Sequence, residues 1–174
     1  GGCALEAIEA VADHTGSQGT DPLDVLDGLT SLVDINLVRQ VDLDTGDSRL
    51  VLLESIREFA AERLVEDAAL HKSVCQAHAD YYAGLAQRQW QRLAGGQREQ
   101  ALQQMSIDID NARIAWAYWV QKSDLDQLGR LVDILWLFYD ARGWYRAVIQ
   151  LCNELLAVLS SNPSTPERAQ QEIL

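Results

Sequence analysis

The chain has 174 residues, 48% hydrophobic and 23% charged, and a formal charge of −12 from 14 basic and 26 acidic side chains. That length allows one or two domains and burial of roughly 70% of the unfolded surface. The acidic balance repels phosphate backbones and anionic lipid, so it argues against nucleic acid and membrane as partners. The acid is uneven: Gly1–Leu93 holds 16 acidic and 7 basic residues, Ala94–Leu174 holds 10 and 7. Three cysteines, Cys3, Cys75 and Cys152, are odd in number and far apart, which reads as reduced thiols of a cytoplasmic protein. No apolar run approaches the ~18 residues of a membrane span.

In chain order, Ala4–Asp13 predicts a short helix, with Leu5, Ile8, Val11 and Ala12 at helical spacing. The polar loop HTGSQGT follows. Asp21 then reads as an N-cap with Pro22 at the first helical position. Leu26, Leu29, Leu32 and Val33 predict the buried stripe of that second helix. NLVRQVDL and SRLVLL, joined by DTGD, predict a β-hairpin with Gly46 at a positive φ. The second strand runs straight into a helix over Glu54–Glu66, whose apolar face would hold Ile56, Phe59, Ala60 and Leu64.

From there the pattern is helical. His71–Leu93 predicts a helix packed through Val74, Ala77, His78, Tyr81 and Leu85, and Ala94–Gly96 breaks it. Gln97–Lys122 follows, with an interruption left open near Ile107–Asn111. Ser123 and Asp126 suggest a capping box for the next helix, with Leu125, Leu128, Val132, Leu135, Trp136 and Tyr139 as its stripe. Arg142–Gly143 is the stop, and Trp144–Leu159 the antiparallel return. SSNPSTP precedes a last helix that has no room to finish. Both ends read as cut.

The order helix, helix, hairpin, helix is that of a winged helix lacking its first helix. The expected fold is therefore mainly α: a truncated winged helix with a two-stranded wing over residues 1–69, then a TPR-like antiparallel helical array over 70–174. A winged helix that reads DNA enters the major groove with the helix before its wing. Here that helix, DPLDVLDGLTSLVD, carries Asp21, Asp24, Asp27 and Asp34 and no Lys or Arg. Groove entry needs cations against phosphates, so DNA binding is the weakest reading.

Several side-chain sets invite a chemical role. His71, Cys75 and His78 fall at i, i+4, i+7 on one helix face, but a structural zinc site wants four ligands, so no metal is expected. Glu54, Arg57 and Glu58 read as a salt-bridged helix surface, with no nucleophile to make them catalytic. Trp116, Trp119, Trp136, Phe138, Tyr139 and Trp144 are mainly core by spacing, with some rings expected to stay partly exposed. Trp136, Tyr139, Asp140, Arg142 and Trp144 lie near a hairpin end where a partner-binding groove could start.

The blocks GGCALEAIEAV, DVLDGLTSLVDINLV, RLVLLESIREFAAERL, HADYYAGLA, DIDNARIAWAYW and LWLFYDARGW together resemble bacterial STAND-type signalling ATPases. These are relatives of NB-ARC proteins, many of them SARP-like or LuxR-like transcriptional regulators. The resemblance covers roughly Gly1–Leu159. It implies an effector domain and a P-loop domain upstream of a winged helix, followed by a TPR-like sensor. No G-x-x-x-x-G-K-[ST] occurs in this chain, so ATP or ADP and Mg would belong to that other domain and no cofactor to this one. The family's Met-His-Asp nucleotide motif falls on Leu52, Leu53 and Glu54. Leu53 has no donor for phosphate, while Glu54 keeps a carboxylate. The resemblance thus implies a non-enzymatic relay between the protein's own nucleotide domain and downstream repeats that sense a protein or small molecule. A stand-alone TPR-like interaction module is the alternative.

Overall fold

The computed structural model describes residues 2–14, 22–43, 46, 48–94 and 96–161. Its elements run α1 (Leu5–His14), α2 (Pro22–Asp34), β1 (Val38–Asp42), β2 (Ser48–Leu52), α3 (Glu54–Glu66), α4 (Ala68–Ala94), α5 (Arg98–Lys122), α6 (Leu125–Ala141) and α7 (Tyr145–Ser161). The protein is mainly helical with one antiparallel hairpin. The expected cap Asp21, the rest of the loop after His14 and the segment after Ser161 lie outside the described residues.

The hairpin pairs Val38 with Leu52 through Asp42 with Ser48. Gly46 sits at φ +87°, as a tight turn of this kind requires. Ahead of α1, Cys3 exchanges two backbone hydrogen bonds with Leu50, at 3.0 and 2.9 Å, adding a one-residue third strand. Gly2 makes that approach possible. At φ +103°, a Cβ there would meet Val51 Cγ2 at 2.7 Å and the Leu50 carbonyl at 3.0 Å.

One apolar cluster joins α1, α4, α5, α6 and α7. The α4–α5 contact is built from small residues: Ala79, Ala83 and Ala86 on α4 and Ala112 and Ala115 on α5 are all buried, so the two backbones can approach closely. Tyr82, Met105, Trp116 and Trp119 fill the space around them. Leu128, Leu131, Ile134, Leu135 and Phe138 make α6 the most deeply buried helix face, and Leu151 and Val158 bring α7 against it. Gln127 Nε2 donates to Asp80 Oδ1 at 2.9 Å between α6 and α4, and Trp116 Nε1 donates to Glu154 Oε2 at 2.6 Å between α5 and α7.

Five expectations are corrected. The stripe of α2 is not buried: Leu26 and Leu32 are exposed and Leu29 and Val33 half-buried, because α2 touches only α1 and β1 among its principal neighbours. The face of α3 is likewise open, Phe59 and Ala60 being exposed and Ile56 and Leu64 half-buried, because α4 is its one principal neighbour among the described residues. The buried face of α4 is Ala77, Ala79, Tyr82, Ala83 and Ala86, so of the expected set Ala77 is buried, while Val74, His78, Tyr81 and Leu85 are only half-buried. On α6 the face is turned, so Leu125 and Trp136 point outward while Leu131, Ile134 and Phe138 point in. The cap of α6 is Asp124, whose Oδ1 accepts from Gln127 N at 3.0 Å; Ser123 instead ends α5 in the left-handed region at φ +54°. The helix α5 is unbroken through Ile107–Asn111.

Candidate functional site

Of the residues of β2, Arg49 is the one that is fully buried. Arg49 is 4% exposed and Asp108, midway along α5, 3%. The guanidinium Nη2 donates to Asp108 Oδ1 at 2.6 Å and to the Gly2 carbonyl at 2.7 Å. Gln104 Nε2 donates to the other carboxylate oxygen at 3.0 Å, and Asn111 Nδ2 donates to the same Gly2 carbonyl at 3.1 Å. Burial works against the Arg49 charge, but the hydrogen bond and charge of Asp108 outweigh it and hold its pKa above normal. The network ties the chain before α1, the hairpin and α5 into one polar node inside an apolar surround. It can transmit position between the hairpin and the helical array.

The aromatic set at the α6–α7 turn divides. Tyr139 is buried and stacks on Trp144, ring centres 6.2 Å apart and planes at 26°. Trp144 also meets Phe138 edge-on at 5.8 Å yet stays 48% exposed. Arg142 lies 5.5 Å over the Phe138 ring and donates to Ser106 Oγ at 3.2 Å, so it bridges to α5. Trp136 is 47% exposed on the outer side of α6, and Asp140 is exposed. Trp116 and Trp119 are core. Beyond the turn, Tyr145, Ile149, Leu156 and Leu159 leave an open apolar face on α7.

Leu53 occupies the N-cap position of α3 with no side-chain cap bond and is exposed. Glu54 is exposed and accepts from Arg57 one turn on, Nε to Oε2 at 3.1 Å. The Arg57 hydrogen bond lowers the Glu54 pKa. A nucleotide phosphate does not fit this pair: Leu53 offers no donor, and the Glu54 carboxylate is already matched by Arg57. His71 Nε2 lies 3.5 Å from Cys75 Sγ, while His78 faces Asn111 and meets the Tyr82 ring at a tilt of 46°, centres 4.7 Å apart. Among the described residues no three His, Cys, Asp or Glu side chains are grouped to hold a metal.

Sequence reasoning passed over Arg49, Asp108 and Asn111 as a set. A signal was present: Gln104, Asp108 and Asn111 fall at i, i+4, i+7 on one face of a helix, and Arg49 interrupts an apolar strand.

The fold is thus a helical array joined to a small hairpin module through a buried ion pair. The chain is 33% identical over 156 residues to proteins from Mycobacterium bovis and from two strains of Mycobacterium tuberculosis, each provisionally named an HTH-type transcriptional regulator. The match covers 90% of this chain and 17% of each relative, so the chain spans about a sixth of the relatives' length. The relatives are named as regulators rather than enzymes. No protein-family profile matches the chain, and no solved structure matches it. Among the described residues no helix is long and apolar enough to cross a membrane.

Proposed function

We propose that this chain is the non-catalytic relay segment of a bacterial, cytoplasmic, multidomain transcriptional regulator of the STAND type. It would couple a nucleotide-binding domain on one side to sensing repeats on the other. The observation that carries the reading is the Arg49–Asp108 ion pair. A hairpin module needs no such bond merely to sit beside an array. A buried, fully engaged pair makes the contact specific and two-state in character, which a relay requires. The similarity to named regulators supports the same reading.

The order of elements supports a winged helix over residues 1–69, with Cys3 adding to the wing as a third strand. Antiparallel α4 to α7 support a TPR-like array over 70–174. The open apolar faces of α2 and α3 would dock on the protein's own nucleotide domain, and the open face of α7 on downstream repeats. The α2 helix carries no basic residue in its last turn and acid along its length, so groove entry is not its role. ATP or ADP with Mg would be held by the nucleotide domain, not by Leu53 or Glu54.

The test is to purify the parent protein and quantify bound nucleotide. About one ADP or ATP per chain, lost when the lysine of an upstream G-x-x-x-x-G-K-[ST] loop is replaced, is expected. A parent with no such loop would overturn the relay reading. The half-exposed Trp136 and Trp144 would then favour a stand-alone protein-interaction module.

A further inference from the structure

Between α1, β2, α4 and α5 lies a cleft of about 740 Å³. That is within the roughly 300–1,000 Å³ of small-molecule sites. Ile8 and Val11 of α1, Leu50 of β2 and Val74 of α4 give it apolar walls. Polar side chains line it too: His78 and Tyr82 from α4, Asp110 and Asn111 from α5, and Glu54 and Arg57 from α3. Tyr82 is 2% exposed, and its hydroxyl has no hydrogen-bond partner among the described residues. A buried hydroxyl left unpaired costs stability that a ligand group could return.

Charge narrows the occupant. Glu54 and Arg57 at the cleft are paired with each other, and Asp110, the other charged residue that lines it, has interactions of its own, so none of the three is free to fix an ion. Burial pushes the His78 pKa down, which favours the neutral imidazole. A cation would lose its hydration among aliphatic walls. An anion would face a chain of net charge −12. Leu52 and Leu70 remain exposed beside the cleft, so its approach is apolar too. The open faces of α3 and α7 show no comparable convergence of inward polar groups.

We propose that this cleft binds a neutral, mainly apolar small molecule through one hydroxyl or carbonyl that pairs with Tyr82. Such a ligand touches the hairpin module and the helical array together and so braces one against the other. That consequence rests on the relay reading; the binding does not.

The probes are 1-naphthol and naphthalene, titrated into the 174-residue chain and followed by calorimetry. 1-Naphthol should bind saturably, one molecule per chain, and about tenfold tighter than naphthalene, because a site built around a hydrogen bond rejects the analogue that lacks it. Tyr82→Phe removes only the unpaired oxygen, keeps the fold, and should bring the two probes to within about twofold. Leu70→Trp, at an exposed position beside the cleft, should weaken both about tenfold by occupying the space, as should Val74→Trp on the wall. Unsaturable binding of 1-naphthol, or saturable binding that neither tryptophan variant weakens, would overturn the proposal. So would an undiminished preference for 1-naphthol in Tyr82→Phe. None of these outcomes bears on nucleotide content of the parent protein, so this idea and the relay reading fail separately.

Discussion

Replacing Asp108 by alanine strands a charge. Arg49 would keep its bond to the Gly2 carbonyl at 2.7 Å but lose the only carboxylate within reach of its guanidinium among the described ion pairs. Both partners are almost wholly buried, so solvent cannot replace the lost oxygen. Breaking such a pair by removing one side costs about 3–5 kcal/mol. Native domains have only ~5–15 kcal/mol in hand, so the loss is a large fraction of the whole. For a chain of this size each kcal/mol moves Tm by about 2–4 °C, so a fall of roughly 6–20 °C is expected. The assay is urea unfolding read by far-ultraviolet circular dichroism and by emission from the buried Trp116 and Trp119. The double variant Arg49→Leu/Asp108→Leu should recover most of the loss, since well-packed apolar substitutes for a buried pair are often neutral or better. A cost below about 1 kcal/mol for Asp108→Ala, the range of wet surface pairs, would refute the reasoning and with it the claim that this bond fixes the hairpin to the array.

Asp124→Ala should destabilise the chain by about 1 kcal/mol in the same assay, the usual worth of an N-cap side chain, because the Gln127 N–H loses its acceptor. Trp136→Ala should change stability by no more than about 0.5 kcal/mol, since the ring is half exposed. Trp144→Ala should cost more, since a ring pair such as its stack on Tyr139 or its edge-on contact with Phe138 is worth about 0.5–1.5 kcal/mol beyond area alone. His78 should give stability a pH dependence. Burial lowers its pKa in the fold, although a hydrogen bond with Asn111 works the other way. Its contribution is therefore whole above the unfolded value of about 6.5 and drains away as pH falls below it toward the lower folded value. His78→Gln should flatten that limb of a stability–pH curve; an unchanged slope between pH 7 and 5 would show the imidazole to be wet.

The element boundaries were legible because their signals are local. Pro22, Gly46, Gly143 and the break near Gly96 act through backbone geometry that a few neighbouring residues settle. The faces were less legible. Leucine drew attention to Leu26, Leu32 and Leu125, yet these are exposed, while alanines on α4 and α5 are fully buried in the core. Small residues carry little hydrophobic signal, but they set how near two helices can come. Which side of α6 turns inward depends on where α4 and α5 lie, and that is tertiary information. The candidate site follows the same rule. Glu54 and Arg57 sit three apart and their pairing is visible in the chain, whereas Arg49 and Asp108 are 59 residues apart and nothing local predicts that they meet.

Burial is distributed in a way that bears on function. The array from α4 to α7 holds nearly all the fully buried side chains, while α2 and α3 hold none among the residues whose burial is described. The hairpin module therefore owes its position less to apolar contact than to α1, the Cys3 strand pairing and the Arg49 node. Polar bonds are directional, so a module held by them has one good seat and few half-good ones. A module with little core of its own also opens at low cost, as moving elements generally do. On the relay reading these two properties belong together. The helical array is the stiff arm, the α2 and α3 faces are where a neighbouring domain would grip, and the Arg49–Asp108 pair is the catch whose engagement that grip would alter. The cleft shares its β2 and α5 walls with this catch, so an occupant there would act on the same joint without touching the nucleotide.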